Sequence, residues 1–269
     1  MDALSFLYKT LTGRILLKAL ASRPVSKLCG IFLDSRISAL LIKGFAKKNN
    51  INLEEYQLDG IKTFNQFFRR KIKDGRRPFV MDKNVLCSPC DGLLSVWNIQ
   101  NKTVIPVKQS LFTIESLLQD KDLAARFDGG LCLVFRLCVD NYHRYAYADG
   151  GEKGPNIFIP GKLHTVRPVA LKELPVFAEN CREWTTIQSP VFGTIVQMEI
   201  GAMLVGRIVN HQGQGFVVRG QEKGFFEYGG STIILLLKKD AAKIDSAFVQ
   251  NSKLGIESPI KMGERIGSL

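Results

Sequence analysis

The sequence predicts an α+β fold in which basic amphipathic helices at the N-terminus precede a β-rich, largely antiparallel body. Apolar residues recur at helical spacing over the first 50 residues, whereas short β-type runs separated by glycine and proline begin near residue 85. Hydrophobic residues make up 45% and charged residues 23% of the 269 residues, which is ordinary for a chain that buries a core. These values exclude a disordered chain, a collagen-like fibre and a small disulfide scaffold. A mean hydropathy of +0.02, without an 18-residue apolar run, argues against a membrane-spanning protein.

Residues 1–50 are predicted to form helices with a break at Arg23-Pro24. Apolar side chains recur there every three or four residues, first at Leu4, Leu7, Leu11, Ile15, Leu16 and Leu20, and again over residues 31–41. Basic side chains are interleaved with them at Lys9, Arg14, Lys18, Arg36 and Lys43. A further helix is predicted within residues 53–73, ended by the turn at Asp74-Gly75.

Most of the positive charge lies in this first third. The chain has 37 basic and 25 acidic residues, and sixteen of the former and six of the latter fall within residues 1–80. A basic amphipathic helix can lie in a membrane interface, or it can pack on the protein with its charges in solvent. Nucleic acid is the less suitable partner because the aromatic residues here lie on the apolar face. The start lacks a secretory signal, so we expect a cytosolic location with reduced cysteines.

The β-rich body is predicted from a series of short apolar runs. They are Gly92–Trp97, Thr103–Val107, Leu131–Val139, Ile157–Ile159, Gly193–Glu199, Met203–Val209, Phe216–Val218 and Thr232–Leu237. One helix is predicted to interrupt them at Ile114–Ala125. Cys87 and Cys90 form a CxxC pair, but the sequence has no second pair or nearby histidine pair to complete a metal site. We therefore expect no metal.

Two glycines precede Ser231, and an apolar run follows it over Ile233–Leu237. Such a backbone bends freely and leaves the Gly230 carbonyl unshielded, so the serine hydroxyl can attack it. The alternative is an ordinary Gly-Gly turn before a core strand, with an inert serine.

Acid–base groups are found in two other places. Asp91 lies in a turn directly before a predicted strand, where it can orient a base or simply stabilise the turn. His143 follows the predicted strand over residues 131–139, and the two remaining histidines are His164 and His211. Histidine is the side chain best suited to proton transfer near neutral pH, although any one of them can be structural.

Together these residues resemble the phosphatidylserine decarboxylase family over roughly residues 60–240. The motifs that carry the resemblance are Phe64-Asn65-Gln66-Phe67-Phe68 with the basic run to Pro78, Asp91-Gly92, Asn141-Tyr142-His143-Arg144, Pro160-Gly161-Lys162-Leu163, Val205-Gly206-Arg207-Ile208 and Gly229-Gly230-Ser231-Thr232. The resemblance implies a proenzyme that cuts itself between Gly230 and Ser231. Ser231 then becomes a pyruvoyl group at the start of a small chain (231–269), which remains associated with the large chain (1–230).

In such an enzyme the pyruvoyl carbonyl forms a Schiff base with phosphatidylserine and withdraws electrons as carbon dioxide leaves, which yields phosphatidylethanolamine. The resemblance implies that Asp91 and His143 are the acid and base that activate Ser231. Many members have a second histidine where this chain has Ala146. His164 is the best substitute because it lies beside another matched motif, and His211 is a weaker one.

A lipid substrate implies a membrane surface, so we expect residues 1–60 to associate with anionic membrane and residues 61–269 to form the catalytic domain. The expected location is peripheral, on the cytoplasmic face of a bacterial cell membrane, and a homodimer is compatible with the sequence. Two other functions stay open at this point. One is a pyruvoyl-dependent decarboxylase of a soluble amino acid, and the other is a non-enzymatic module that binds anionic lipid.

Overall fold

The predicted α+β architecture is confirmed by the computed structural model, which describes residues 3–100, 112–171, 174–202, 207–227 and 231–269. Helices dominate the N-terminal region: α1 Ala3–Lys9, α2 Leu11–Leu20, α3 Arg23–Leu33, a 3-10 turn at Arg36–Ala39, and α4 Leu40–Lys48. The predicted break at Arg23-Pro24 is the start of α3, because proline in the first turn of a helix loses no hydrogen bond.

The next helix is shorter than the sequence predicts. After a 3-10 turn at Leu53–Glu55, α5 spans Phe64–Phe68 and begins at Thr63, whose hydroxyl accepts the Gln66 N–H. The prediction that it continues to Asp74-Gly75 is wrong, because strand β2 (Lys71–Ile72) pairs with β1 (Tyr56–Gln57) instead.

The prediction of one continuous helix over Ile114–Ala125 is also wrong. The segment is two helices, α6 Ile114–Leu118 and α7 Lys121–Ala125, because Gln119 has a φ of 52° and Asp120 caps the second helix. Three later helices escaped prediction: α8 Pro168–Leu171, α9 Val176–Glu179 and α10 Ser246–Lys253.

The body is built from antiparallel strands. They are β3 Val85–Cys87, β4 Gly92–Asn98, β5 Leu131–Leu137, β6 Arg144–Ala146, β7 Gly151–Lys153, β8 Ile157–Ile159, β9 Arg182–Ser189, β10 Gly193–Ile200, β11 Ile208–Asn210, β12 Gly215–Val217, β13 Glu222–Phe226, β14 Ser231–Leu237, β15 Lys243–Ile244, β16 Ser258–Ile260 and β17 Arg265–Ser268. The main sheet has the order β12-β7-β9-β10-β14-β5-β4-β16, and β8 also pairs with β9. Two small sheets, β11-β13-β6 and β15-β17-β3, complete the body. The strand predicted at Thr103–Val107, and residues 203–206 of another, lie outside the described residues.

Strand β14 lies at the centre of the main sheet, between β10 and β5. All seven of its residues are buried, as a strand covered on both faces requires. The core around it draws on both large faces of the sheet and on Leu7, Tyr8 and Leu17 of the N-terminal helices. The beginning of this strand is therefore held rigidly from both sides.

The N-terminal helices bury one face and expose another. Leu33 packs with Phe64 and Phe68 in a second small core. Many other large apolar side chains point outward from the helices: Leu11, Ile15, Leu16, Leu28, Ile31, Phe32, Ile37, Leu40 and Leu41, here called the outer apolar face. Among the described residues, we find no helix whose length and apolar content would let it span a bilayer.

Candidate active site

Ser231 is the first residue of β14 and is fully buried. Its Cα pairs with that of Leu137 on β5, and the next residue, Thr232, pairs with Ile200 on β10. Within the described part of the chain, the hydroxyls of Ser231 and Thr232 have no hydrogen-bond partner. Buried hydroxyls are nearly always paired, so two unpartnered hydroxyls at one strand end call for an explanation beyond ordinary packing. Gly230 lies outside the described residues.

His143 lies between β5 and β6, and its backbone carbonyl accepts the Phe226 N–H at 2.9 Å. Its Nδ1 lies 2.9 Å from the Asn141 carbonyl oxygen. Because a carbonyl can only accept, Nδ1 must carry the proton, which leaves Nε2 with a free lone pair. Nε2 is buried and has no partner among the residues the structure describes. The tautomer is thus the one that can accept a proton at Nε2.

The surroundings keep this imidazole neutral. Burial lowers the pKa of His143 from 6.5 to about 3, and the nearby Arg70 guanidinium contributes to the shift. The Phe68 ring is stacked against it, with ring centroids 4.0 Å apart. Arg70 is itself buried, and its guanidinium lies 4.0 Å from the centre of the Tyr56 ring. A cation and an aromatic ring therefore flank a base that stays unprotonated near neutral pH.

Asp91 precedes β4 and is buried, but its carboxylate is bound to Arg77. The Arg77 Nε donates to Oδ1 at 2.9 Å and its second nitrogen to Oδ2 at 2.8 Å. Oδ1 also accepts the Met262 N–H at 2.9 Å. These contacts use the carboxylate fully, so Asp91 makes no direct hydrogen bond to His143.

The sheet brings Asp91 and Ser231 to the same end of β4 and β14, two strands that β5 separates, without joining them. Arg136 of β5 pairs with Leu93 of β4 on one side and with Thr232 of β14 on the other. Asp91 and Ser231 therefore lie two residues and one residue, respectively, before this row of paired residues. Strands lie about 4.8 Å apart, which separates their backbones by roughly 10 Å. His143 Nε2 and Ser231 Oγ each lack a hydrogen-bond partner among the described residues, so they do not contact each other through a hydrogen bond. Asp91, His143 and Ser231 remain the predicted catalytic residues.

His164 is placed by different contacts. Its Nδ1 lies 3.5 Å from the Tyr8 hydroxyl of α1, and its backbone N–H donates to the Asn180 side chain at 2.9 Å. Asn180 in turn donates to the carbonyl of Gly201, directly after β10. Burial lowers the pKa of His164, although Glu179 opposes the shift. His164 thus links an N-terminal helix to the strand beside β14, while the partly exposed His211 pairs with Glu222 at 2.8 Å.

Two cavities border this region. One, of about 550 Å³, lies between α3 and the sheet and is lined by Ser26, Lys27, Ile31, Leu163, Arg207 and Glu227, among others. The other, of about 660 Å³, is lined by Arg77, Asp91, Asn141 and Lys261, among others. The lining of the first includes the exposed side chains of Ile31 and Phe158. Both are large enough for a small organic group.

Cys87 and Cys90 of the CxxC pair do not form a disulfide. Cys87 and Cys90 are buried free thiols, and burial raises the pKa of each. Groups of three or more side chains suited to a metal ion are absent from the described residues.

Sequence reasoning did not assign roles to Arg77, Phe68 or Asn141. Arg77 lies in the basic run before Pro78, and Phe68 lies in the phenylalanine cluster. Both motifs were identified from the sequence, but no role was assigned to either residue. Their partners are Asp91 and His143, which are distant in sequence from both, and only the fold brings them together.

Comparison with known proteins agrees with the motifs. The sequence profile of the phosphatidylserine decarboxylase family matches residues 64–268. The chain is 42% identical over 265 residues to phosphatidylserine decarboxylase proenzyme 2 of Clostridium acetobutylicum, covering 98% of this chain and 91% of that protein. It is 40% identical to the phosphatidylserine decarboxylase proenzyme of Ruminiclostridium cellulolyticum, covering 98% and 90%. The same proenzyme of Clostridium perfringens is 40% identical, covering 90% and 84%. The chain therefore belongs to the phosphatidylserine decarboxylase family and, as predicted, is an enzyme.

Proposed function

We propose that this chain is a self-cleaving proenzyme that converts phosphatidylserine to phosphatidylethanolamine and carbon dioxide, using a pyruvoyl group derived from Ser231. Family membership supports the reaction. The observation that carries the mechanism is the buried hydroxyl of Ser231, the first residue of the central strand β14. This hydroxyl lacks a hydrogen-bond partner among the described residues. Cleavage between Gly230 and Ser231 would leave residue 231 as the head of β14.

His143 is the proposed base for this cleavage. Its Nδ1–H is held by the Asn141 carbonyl, so Nε2 can take the proton of the Ser231 hydroxyl as that oxygen attacks the Gly230 carbonyl. The depressed pKa of His143, about 3, keeps Nε2 unprotonated before the reaction. Asp91 is proposed to supply a fixed negative charge at the same strand end.

His164 is the proposed substitute for the histidine that Ala146 replaces. Its Nε2 is buried and has no hydrogen bond within the described ranges, and Glu179 Oε2 lies 3.5 Å away. Asn180 connects its backbone to Gly201, beside the start of β14. We propose that it takes over the proton transfer of the missing histidine.

The residues present fit a pyruvoyl group at position 231. A pyruvoyl group supplies a ketone carbonyl that withdraws electrons from the carbon losing carbon dioxide. The backbone of β14 would hold it, between Leu137 of β5 and the end of β10. Ser231 and Thr232 are fully buried, which would protect a reactive carbonyl from water.

The two cleaved chains would stay together through the sheet. Strand β14 pairs along its length with β10 and β5 of the large chain, and β16 pairs with β4. Arg136 of the large chain binds Glu257 of the small chain, with Nε 2.9 Å from Oε1. Breaking the bond before residue 231 removes none of these contacts.

The substrate's lipid character is supported by the outer apolar face. Nine large apolar side chains are exposed among the described residues of the segment 11–41, and basic residues such as Lys18, Lys27 and Lys43 are interleaved with them in the sequence or follow them closely. We propose that residues 1–60 associate with anionic membrane and residues 61–269 form the catalytic domain, at the cytoplasmic face of a bacterial membrane. A decarboxylase of a soluble amino acid has no use for such a surface.

The 550 Å³ cavity is the proposed entry for the headgroup. It lies between α3, which carries part of the outer apolar face, and Glu227, which is three residues before Gly230. Lys27 and Arg207 in its wall are the proposed partners of the phosphodiester, and the same wall also carries the acidic residues Asp34, Glu183 and Glu227.

Intact mass spectrometry of the purified protein tests this proposal. We expect chains 1–230 and 231–269, the second of 39 residues with a blocked N-terminus, and carbon dioxide release from phosphatidylserine vesicles but not from free phosphoserine. Ser231→Ala should leave one unbroken, inactive chain, whereas Ser258→Ala, a buried serine of β16, should cleave normally. Active protein that is one unbroken chain with an ordinary Ser231 would refute the mechanism.

A further inference from the structure

Arg77 connects three segments at the wall of the 660 Å³ cavity. Its guanidinium makes a bidentate pair with Asp91, and its remaining nitrogen lies 3.1 Å from Glu55 Oε2. The side chain is only 6% exposed, so the ion pair is shielded from solvent. Burial opposes the charge of Arg77, but Asp91 and then Glu55 outweigh it and raise the Arg77 pKa above its ordinary value. The cation is therefore permanent.

The carboxylate that Arg77 holds touches both halves of the proposed processed enzyme. Asp91 belongs to residues 1–230, whereas the Met262 N–H that donates to its Oδ1 belongs to residues 231–269. The same cavity wall includes Asn141, whose carbonyl orients His143. Asp91 thus lies at a junction between the two chains and faces the segment that carries the proposed base.

A carboxylate in this setting works as a fixed anion. Oδ1 and Oδ2 both accept from the guanidinium, and a planar bidentate pair fixes the orientation of the group as well as its charge. Such a group does not donate a proton in a reaction cycle, so its function depends on where it is held.

We propose that Arg77 is a positioning residue for self-cleavage, because it fixes the Asp91 carboxylate against the segment that carries His143. This inference rests on the proposed function, in which Asp91 and His143 activate Ser231. Lysine at position 77 would keep the charge but lose the bidentate geometry, because an ammonium group presents no planar fork. The fold therefore needs arginine here for a geometric reason.

Self-cleavage rates of variants test the inference, followed on denaturing gels after synthesis of the full chain. A misplacement of about 1 Å can slow a reaction about 10²-fold, so we expect Arg77→Ala to cleave about 10²-fold more slowly and Arg77→Lys to be intermediate. Because Arg77 lines a cavity, millimolar guanidinium ion should enter the vacated position and restore cleavage of Arg77→Ala. A purely structural role would give no such rescue.

The matched control is Arg219→Ala. Arg219 also pairs with a buried carboxylate, Asp149, at 2.9 Å, and it should lose comparable thermal stability while cleaving at the wild-type rate. In an Asp91→Asn background, adding Arg77→Gln should slow cleavage no further.

Wild-type cleavage by Arg77→Ala would overturn the inference. So would slow cleavage without guanidinium rescue, or additive losses in the double variant. If Arg77→Ala does not fold, full-rate cleavage by a folded Arg77→Lys, verified by its Tm, would overturn it equally. Failure of the wild-type chain to cut before Ser231 would instead refute the proposed function.

Discussion

The N-terminal helices and the start of β14 depart from ordinary packing in opposite directions. The helices expose large apolar side chains, with Leu11 79% and Leu40 83% exposed. The start of β14 buries Ser231 Oγ and Thr232 Oγ1 without partners in the described residues, and His143 Nε2 is buried without a partner as well. Either arrangement is unfavourable for folding alone. Packing alone therefore explains neither region. Under the proposed function, the helices contact lipid and the strand end carries the chemistry.

The largest expected effect is at the strand end. His143→Gln keeps a polar side chain of similar size but removes the base, so self-cleavage should slow by about 10²- to 10⁴-fold. The rate of appearance of the 231–269 fragment on a denaturing gel measures it. His211→Gln is the matched control, because His211 is 34% exposed and pairs with Glu222 away from Ser231. Equal cleavage rates for the two variants would show that His143 is not the base for self-cleavage.

A smaller effect is expected on the outer apolar face. Replacing Leu11, Ile15 and Leu16 of α2 by Gln removes three exposed apolar side chains while retaining a good helix former. Burying one such side chain in lipid contributes roughly 1.5–3 kcal/mol, so partition into phosphatidylserine vesicles should fall by at least about 10²-fold. Self-cleavage should continue at the wild-type rate. Unchanged vesicle flotation would show that α2 does not meet the membrane.

The smallest effect concerns pH and folding. The pKa of His143 is about 3 in the folded chain against an ordinary 6.5, so protonation opposes folding. Its contribution to stability is complete above pH 6.5 and is lost as the pH falls towards 3, at up to about 1.4 kcal/mol per pH unit. Urea unfolding of Ser231→Ala with and without His143→Gln, both uncut, isolates this slope. Parallel pH profiles would contradict a buried neutral imidazole.

Local features of the sequence predicted much of the fold. The apolar run after Gly230 is β14, and the run Ile157–Ile159 is β8, because each pattern is set by neighbouring residues. The sequence did not predict β9, since Arg182 and Thr185 lie at buried positions that a search for apolar runs passes over. Gln119 divides a predicted helix by adopting a left-handed φ that few glutamines adopt.

The site was predictable in its parts but not in its connections. Asp91, His143 and Ser231 were identified from short motifs, and they remain predictions of chemistry. The Arg77–Asp91 pair and the Phe68–His143 stack depend on contacts between distant residues, which no local pattern contains. The Ala146 substitution likewise left open which histidine replaces the missing one.

The central position of β14 carries a consequence for biosynthesis. Strand β14 is enclosed only when both β10 and β5 have paired with it, so under the proposed function the bond before Ser231 would be cut only in the folded sheet. Under the proposed chemistry, a newly made polypeptide that misfolds would never mature. Cleavage would then occur only in chains that had folded completely, so only these molecules would become catalytically active.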